Sequence, residues 1–188
     1  MTTTTPDAPP ASIAASLRRL YFVRFGFAIV WAIIVGLSAA SITPLSATLL
    51  AIYPVFDLVA AVVDHRASRA TRPAGLLYVN MALSALAAVG LIVAVMSGRS
   101  AVLLVWGLWA VTAGAVQLIV GISRRSLGGQ WPMILSGGIS VLAGVAFAVQ
   151  SGSATASLVG LAGYATLGGI FFLVSAIRLN RTATGAAR

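Results

Sequence analysis

The 188-residue chain contains no cysteine, no glutamate and no lysine, and its only acidic residues are Asp7, Asp57 and Asp64. The missing cysteine excludes a disulfide framework, a thiolate nucleophile and a cysteine-based metal site. One histidine, His65, is too few for a histidine-based metal site. Charge of either sign is scarce. Only 8% of the residues are charged, against about 25% in an ordinary soluble domain, while 60% are apolar and the mean hydropathy is +1.03. A chain with so little polar surface cannot cover a water-soluble globule, so a soluble enzyme is excluded. A buried nucleophile with its base, a carboxylate pair facing water or a metal cluster would each need residues that this chain lacks. The expectation is a protein that is no enzyme and carries no cofactor and no metal.

What the sequence does have is long apolar runs, at about 22–41, 46–64, 75–97, 101–122, 131–150 and 157–178. Roughly 20 apolar residues suffice for one membrane crossing. The runs are too long and too continuously apolar for the alternating strands of a barrel, so the predicted fold is all-α, with six transmembrane helices. This membrane domain covers 17–182. It is preceded by a Thr-, Pro- and Ala-rich segment over 1–16, predicted to be a disordered tail, and followed by a short tail over 183–188. Residues 13–20 suit a short interfacial helix before the first crossing. The first apolar run is longer than the core of a cleavable signal peptide.

All twelve basic residues are arginine and the net charge is +9. Such an excess in a soluble protein points to nucleic acid, but here its distribution is topological. Eleven arginines (18, 19, 24, 66, 69, 72, 124, 125, 178, 181 and 188) flank the even-numbered loops and the termini, and only Arg99 lies on the opposite side. The positive-inside rule then predicts both termini in the cytoplasm of a bacterial inner-membrane protein, with the lipid bilayer as partner and no nucleic acid.

The six segments pair into three hairpins, 17–70, 73–127 and 128–182. A shift of 55 residues sets Trp109 on Tyr164, Gly114 on Gly169 and Leu118 on Leu173. Tyr53 and Asp57 of the first hairpin fall near Trp109 and Gly114 after shifts of 56 and 57. Repeats that enter and leave on one side are parallel, which argues against an inverted-repeat transporter. The strings YPVFDLVAAVVDHR at 53–66, VWGLWAVTAGAVQLIVGISRR at 105–125 and GGQWPMILSGGISVLAGVAF at 128–147 resemble the HdeD-like family of short-repeat bacterial acid-resistance membrane proteins. That resemblance implies a six-helix fold of three hairpins and a role tied to acid or envelope stress.

An ionisable group within a span costs about 2.5–3.5 kcal/mol at the bilayer centre, so each needs a partner or a purpose. Asp57 lies about two turns from the end of the second segment, and a side chain as short as Asp cannot snorkel out. Arg24, Asn80, Gln117 and Ser136 fall at similar depth on four other segments, and Asp57 shares a helix face with Asp64, as Asn80 does with Ser84. Three readings follow. In one, Arg24 neutralises Asp57 or Asp64 and the amides bridge helices. In the second, Asp57 titrates in a proton or cation path. In the third, Arg24 anchors a ligand or lipid head-group pocket.

Pro54 removes a backbone hydrogen bond in mid-helix and is expected to kink the second segment just before Asp57. Trp131 and Pro132 open the fifth, where proline in a first turn costs nothing. Ser136, Ser140, Gly144 and Ala148 recur every four residues, and Gly160 and Gly168 flank Tyr164. These small-residue faces serve packing within the bundle or a homo-oligomer. His65 reads as a solvated loop residue or a pH sensor. The function expected is a non-enzymatic HdeD-like membrane protein of stress tolerance. The alternatives are a small proton-coupled transporter or channel using Asp57, and an assembly or chaperone-like subunit acting on other membrane proteins.

Overall fold

The computed structural model describes residues 11–38, 40–67, 74–123 and 131–185. Six helices account for nearly all of them: α1 (Ala11–Ser38), α2 (Pro44–Ala67), α3 (Ala74–Ser97), α4 (Arg99–Ser123), α5 (Trp131–Gln150) and α6 (Val159–Gly185). Each contains a stretch of 20–25 residues long and apolar enough to cross a bilayer, and no strand occurs among the described residues. The protein is an all-α, multi-pass membrane protein. Its outer surface bears the large apolar side chains that lipid requires, among them Leu37, Leu86, Val93, Met96, Leu142 and Val149.

The helix bounds follow the apolar runs, with two extensions. α1 starts at Ala11 and passes unbroken through 13–20, so the separate interfacial helix expected there is the first turns of α1. Of the tail expected over 1–16, residues 1–10 lie outside the described residues. α6 continues to Gly185, and residues 186–188 of the tail expected over 183–188 are likewise outside them. α2 runs continuously through Pro54, which is fully buried. Its start is fixed by a reciprocal cap: the Thr43 N–H donates to Ser46 Oγ at 2.8 Å, and the Ser46 N–H to Thr43 Oγ1 at 3.2 Å. Gly98 alone connects α3 to α4, with φ of 96°, a left-handed conformation that glycine adopts without the strain any side chain would bring.

Each helix packs on its neighbours in sequence, and α6 packs on α1, which closes a six-membered ring. The most extensive interfaces are α4/α5 and α1/α6, both between hairpins; the thinnest, α5/α6, lies within one. Glycine explains the first. Gly107 and Gly114 on α4 are seven residues apart, as are Gly137 and Gly144 on α5. A Cβ on Gly144 would sit 2.6 Å from the Gly107 carbonyl oxygen, and one on Gly137 would sit 2.7 Å from the Leu118 nitrogen. The two backbones therefore touch, and dispersion between them takes the place of the hydrophobic drive that lipid cannot supply. A seven-residue period keeps this seam facing its partner along both helices.

The internal repeat is visible in three dimensions. On the even helices, Leu50, Trp106 and Leu161 stand 56 and 55 residues apart, and all three are fully buried. On the odd helices, Val35, Leu91 and Phe147 stand 56 apart and are buried in the same cluster. The first hairpin thus fits the second at a uniform offset of 56.

This cluster fills one half of the ring. Trp31 stacks on Trp106 with ring centroids 5.3 Å apart, and Tyr53 contacts both rings. The Trp31 indole N–H donates to the Leu49 carbonyl at 2.7 Å. Arg99 begins α4 at this end, whereas Arg18, Arg66 and Arg178 stand at the other, here termed the basic end.

Candidate functional site

The half of the ring nearer the basic end encloses a cavity of about 220 Å³ lined by residues of all six helices. The polar residues singled out in the sequence, Arg24, Asp57, Asp64, Asn80, Gln117 and Ser136, all line it. Their convergence follows from the repeat. Arg24, Asn80 and Ser136 stand 56 residues apart and are one position of α1, α3 and α5. Tyr53, Trp109 and Tyr164 are one position of α2, α4 and α6, and Asp57, Ala113 and Gly168 are another. A threefold scaffold has thus been given unlike side chains, with both members of its central ion pair on the first hairpin.

Polar contacts made by side chains run once around the cavity. Arg24 forms a salt bridge to Asp57 Oδ1, joining α1 to α2. Ser84 Oγ donates to Asp57 Oδ2 at 2.8 Å, joining α2 to α3. The Trp109 indole N–H donates to Ser84 Oγ at 3.3 Å, joining α3 to α4. Gln117 Nε2 donates to the Met133 carbonyl at 3.3 Å, and Tyr164 donates its hydroxyl hydrogen to Ser140 Oγ at 3.2 Å. The circuit closes where the Arg24 guanidinium lies over the Phe172 ring of α6, 4.5 Å from its centroid. Phe172 in turn stacks on Tyr21 at 6.0 Å.

The ion pair is largely removed from solvent, with Arg24 13% and Asp57 20% exposed in their side chains. In such surroundings either charge alone would be costly, and the pair is tolerable because the second carboxylate oxygen also accepts a hydrogen bond, from Ser84. Arg24 therefore neutralises Asp57. Asp64 is buried nearer the basic end and engages other groups. Not every polar group is spent. Among the described residues, the Tyr53 hydroxyl, the Asn80 amide and the Ser136 hydroxyl make no hydrogen bond to the protein, although all three line the cavity. The arrangement can hold a small polar molecule. No group of three His, Cys, Asp or Glu side chains is gathered among the described residues.

Some roles differ from expectation. His65 is no loop residue: it lies in the last turn of α2, half-buried, with Nε2 3.2 Å from the Tyr78 hydroxyl. In the small-residue stripe, Gly144 packs against α4 as expected, but Ser136 faces the cavity, and Ser140 is a hydrogen-bond acceptor there. Gly168 lines the cavity, and Gly160 lies against Phe147. Sequence reasoning missed Tyr53, Trp109, Tyr164 and Phe172, which in an apolar run look like any other core aromatic. The signal that finds the first three is their shared position in the repeat.

The chain matches no family model, no curated protein and no solved structure. Its class is defined by its own architecture, a multi-pass helical membrane protein with a polar cavity at one end of a closed ring.

Proposed function

We propose that the chain is a non-enzymatic protein of the bacterial cytoplasmic membrane, akin to the HdeD-like proteins of acid and envelope stress tolerance, and that it acts as a membrane-embedded receptor for a small molecule arriving from the cytoplasm. The observation that carries this reading is the one-sidedness of the cavity. Its lining reaches Leu76, Val120 and Pro132, within a turn of the basic helix ends, and goes no deeper than Tyr53, Trp109 and Tyr164. Beyond these rings Trp31, Trp106, Leu50, Leu91 and Leu161 fill the ring with almost no exposed surface. A blind pocket suits binding better than conduction. The arginine distribution supports an orientation with the basic end in the cytoplasm.

The natural chain has no cysteine, so a single introduced thiol reports without background. Ser136→Cys is expected to react with a membrane-impermeant thiol reagent in inside-out vesicles and not in right-side-out ones. Reaction from neither side would end the receptor reading, and reaction only from outside would reverse the orientation. A reporter active only in the periplasm checks the topology independently: it should be silent when fused after Arg188 and active after Gly152.

A second reading, proton-coupled transport through Asp57, draws on the carboxylate's position on the cavity wall with a fifth of its side chain exposed. Proteoliposomes loaded with a pH-sensitive dye decide it. Proton movement that disappears in Asp57→Asn would favour the transporter, and the absence of any such movement would remove it.

A further inference from the structure

We propose that the cavity binds a small betaine-type zwitterion, a carboxylate joined to a quaternary ammonium group, with the carboxylate on Arg24 and the cation between Asp57 and the rings of Tyr53, Trp109 and Tyr164. The proposal rests on the receptor reading above and adds the chemistry of the ligand.

Size sets the first limit. Pockets for drug-sized ligands run to about 300–1,000 Å³. At about 220 Å³ this cavity takes something smaller.

Charge sets the second. Arg24 and Asp57 cancel each other within the membrane-spanning part of the ring, and Asp64 lies two turns nearer the helix ends that carry Arg18, Arg66 and Arg178. A ligand with one net charge would leave that charge uncompensated in surroundings of low dielectric. A zwitterion adds none, and each of its charges finds its opposite in the ion pair.

Bonding capacity decides between the two ends. A guanidinium has five N–H donors, and among the described residues Arg24 spends one of them on Asp57. The remaining donors, with the Asn80 amide and the Ser136 hydroxyl at the equivalent positions of the other repeats, form a wall suited to a carboxylate. On the Asp57 side each carboxylate oxygen already takes one hydrogen bond, which leaves one lone pair on each. A primary ammonium must place three donors, whereas a quaternary one has none to place and is held by ring faces. Three aromatic rings line the inner end: Tyr53 and Trp109 have centroids 6.0 Å apart at an interplanar angle of 75°, and Tyr164 stands at the third equivalent position.

The test uses the full-length protein purified in detergent and three probes of nearly one shape: glycine betaine, choline, which lacks the carboxylate, and 3,3-dimethylbutanoate, which lacks the cation. Calorimetric titration is expected to show glycine betaine binding at least about tenfold more tightly than either single-charge analogue. The doubly neutral variant Arg24→Gln/Asp57→Asn should keep its melting temperature to within a few degrees and lose that preference. Equal binding of choline or dimethylbutanoate, binding retained by the double variant, or no binding of glycine betaine would each overturn the proposal. Thiol labelling of Ser136→Cys separates the two levels. If the thiol reacts from one side while betaine fails to bind, the ligand class is wrong and the receptor stands. If it is unreactive from both sides, the receptor reading falls as well.

Discussion

The two halves of the helix ring are built on one repeat and have opposite interiors. Away from the basic end, equivalent positions carry Leu50, Trp106 and Leu161, all apolar and fully buried. Toward the basic end, equivalent positions carry Arg24, Asn80 and Ser136, polar residues around a cavity. The first half is held by aromatic packing, and the α4/α5 glycine seam that runs along the bundle welds it further. The second is held by a circuit of polar bonds that visits every helix once. The repeat therefore specifies the ring, while the choice of side chain at each repeated position specifies whether the interior is closed or hollow.

Breaking the seam should have the largest effect. In Gly144→Ala the new methyl would meet backbone atoms of Gly107 and Val111 at 2.6 and 2.7 Å, and neither can move without shifting α4. Overpacking typically costs about 1–3 kcal/mol, and against rigid backbone the loss is expected at or above about 3 kcal/mol. It would be read as a lowered thermal midpoint in detergent or failure to purify as a single species. Gly163→Ala, where nothing lies within 4 Å, should change stability by no more than about 1 kcal/mol, in the favourable direction of helix propensity.

Next comes the ion pair. Asp57→Asn leaves the Arg24 charge without its partner and should cost about 3 kcal/mol, the low end of the range for breaking a buried pair, because both groups keep some exposure. The double variant Arg24→Gln/Asp57→Asn is expected to recover most of that loss. If it does not, pairing is not what holds these charges in the membrane.

Ser84→Ala should cost about 2 kcal/mol, since it strands both an Asp57 oxygen and the Trp109 indole N–H in a buried setting. The smallest and sharpest contrast is between two tryptophans one turn apart. Trp109 spends its N–H on Ser84, whereas the buried N–H of Trp106 has no partner among the described residues. Trp109→Phe is therefore expected to cost about 1 kcal/mol more than Trp106→Phe when the two are melted side by side. Equal costs would show that the polar circuit adds nothing to packing at this level.

The spans were legible in the sequence because a bilayer leaves hydropathy little room for error: α5 runs over 131–150 as the apolar run did. Much of the site was legible for a related reason. An ionisable or amide side chain in lipid must point inward, so Arg24, Asp57, Asn80 and Gln117 could only converge. Tyr53, Trp109 and Tyr164 were harder to see, since an aromatic ring in an apolar helix faces lipid, core or cavity with equal ease, and only the repeat register distinguishes these cases. The α4/α5 seam was half legible. The four-residue stripe on α5 identified Gly144, but Gly137 belongs to a seven-residue period that shows only when α4 is set beside it. Extension of α1 back to Ala11 had no hydropathy signal, because the turns before the membrane carry Arg18 and Arg19.

The ring is hollow and polar toward its basic end and closed beyond mid-span. A labelling profile along one face of α3 tests it most directly, with single cysteines introduced in turn for Leu77, Asn80, Ser84, Ala87, Leu91 and Ala94. Leu77 and Asn80 line the cavity, whereas Ser84, Ala87, Leu91 and Ala94 are buried. With a small impermeant thiol reagent applied to the basic side, reaction is expected at 77 and 80 and not at 84, 87, 91 or 94. Reaction continuing through 91 and 94 would mean that water crosses the ring, contradicting a blind pocket.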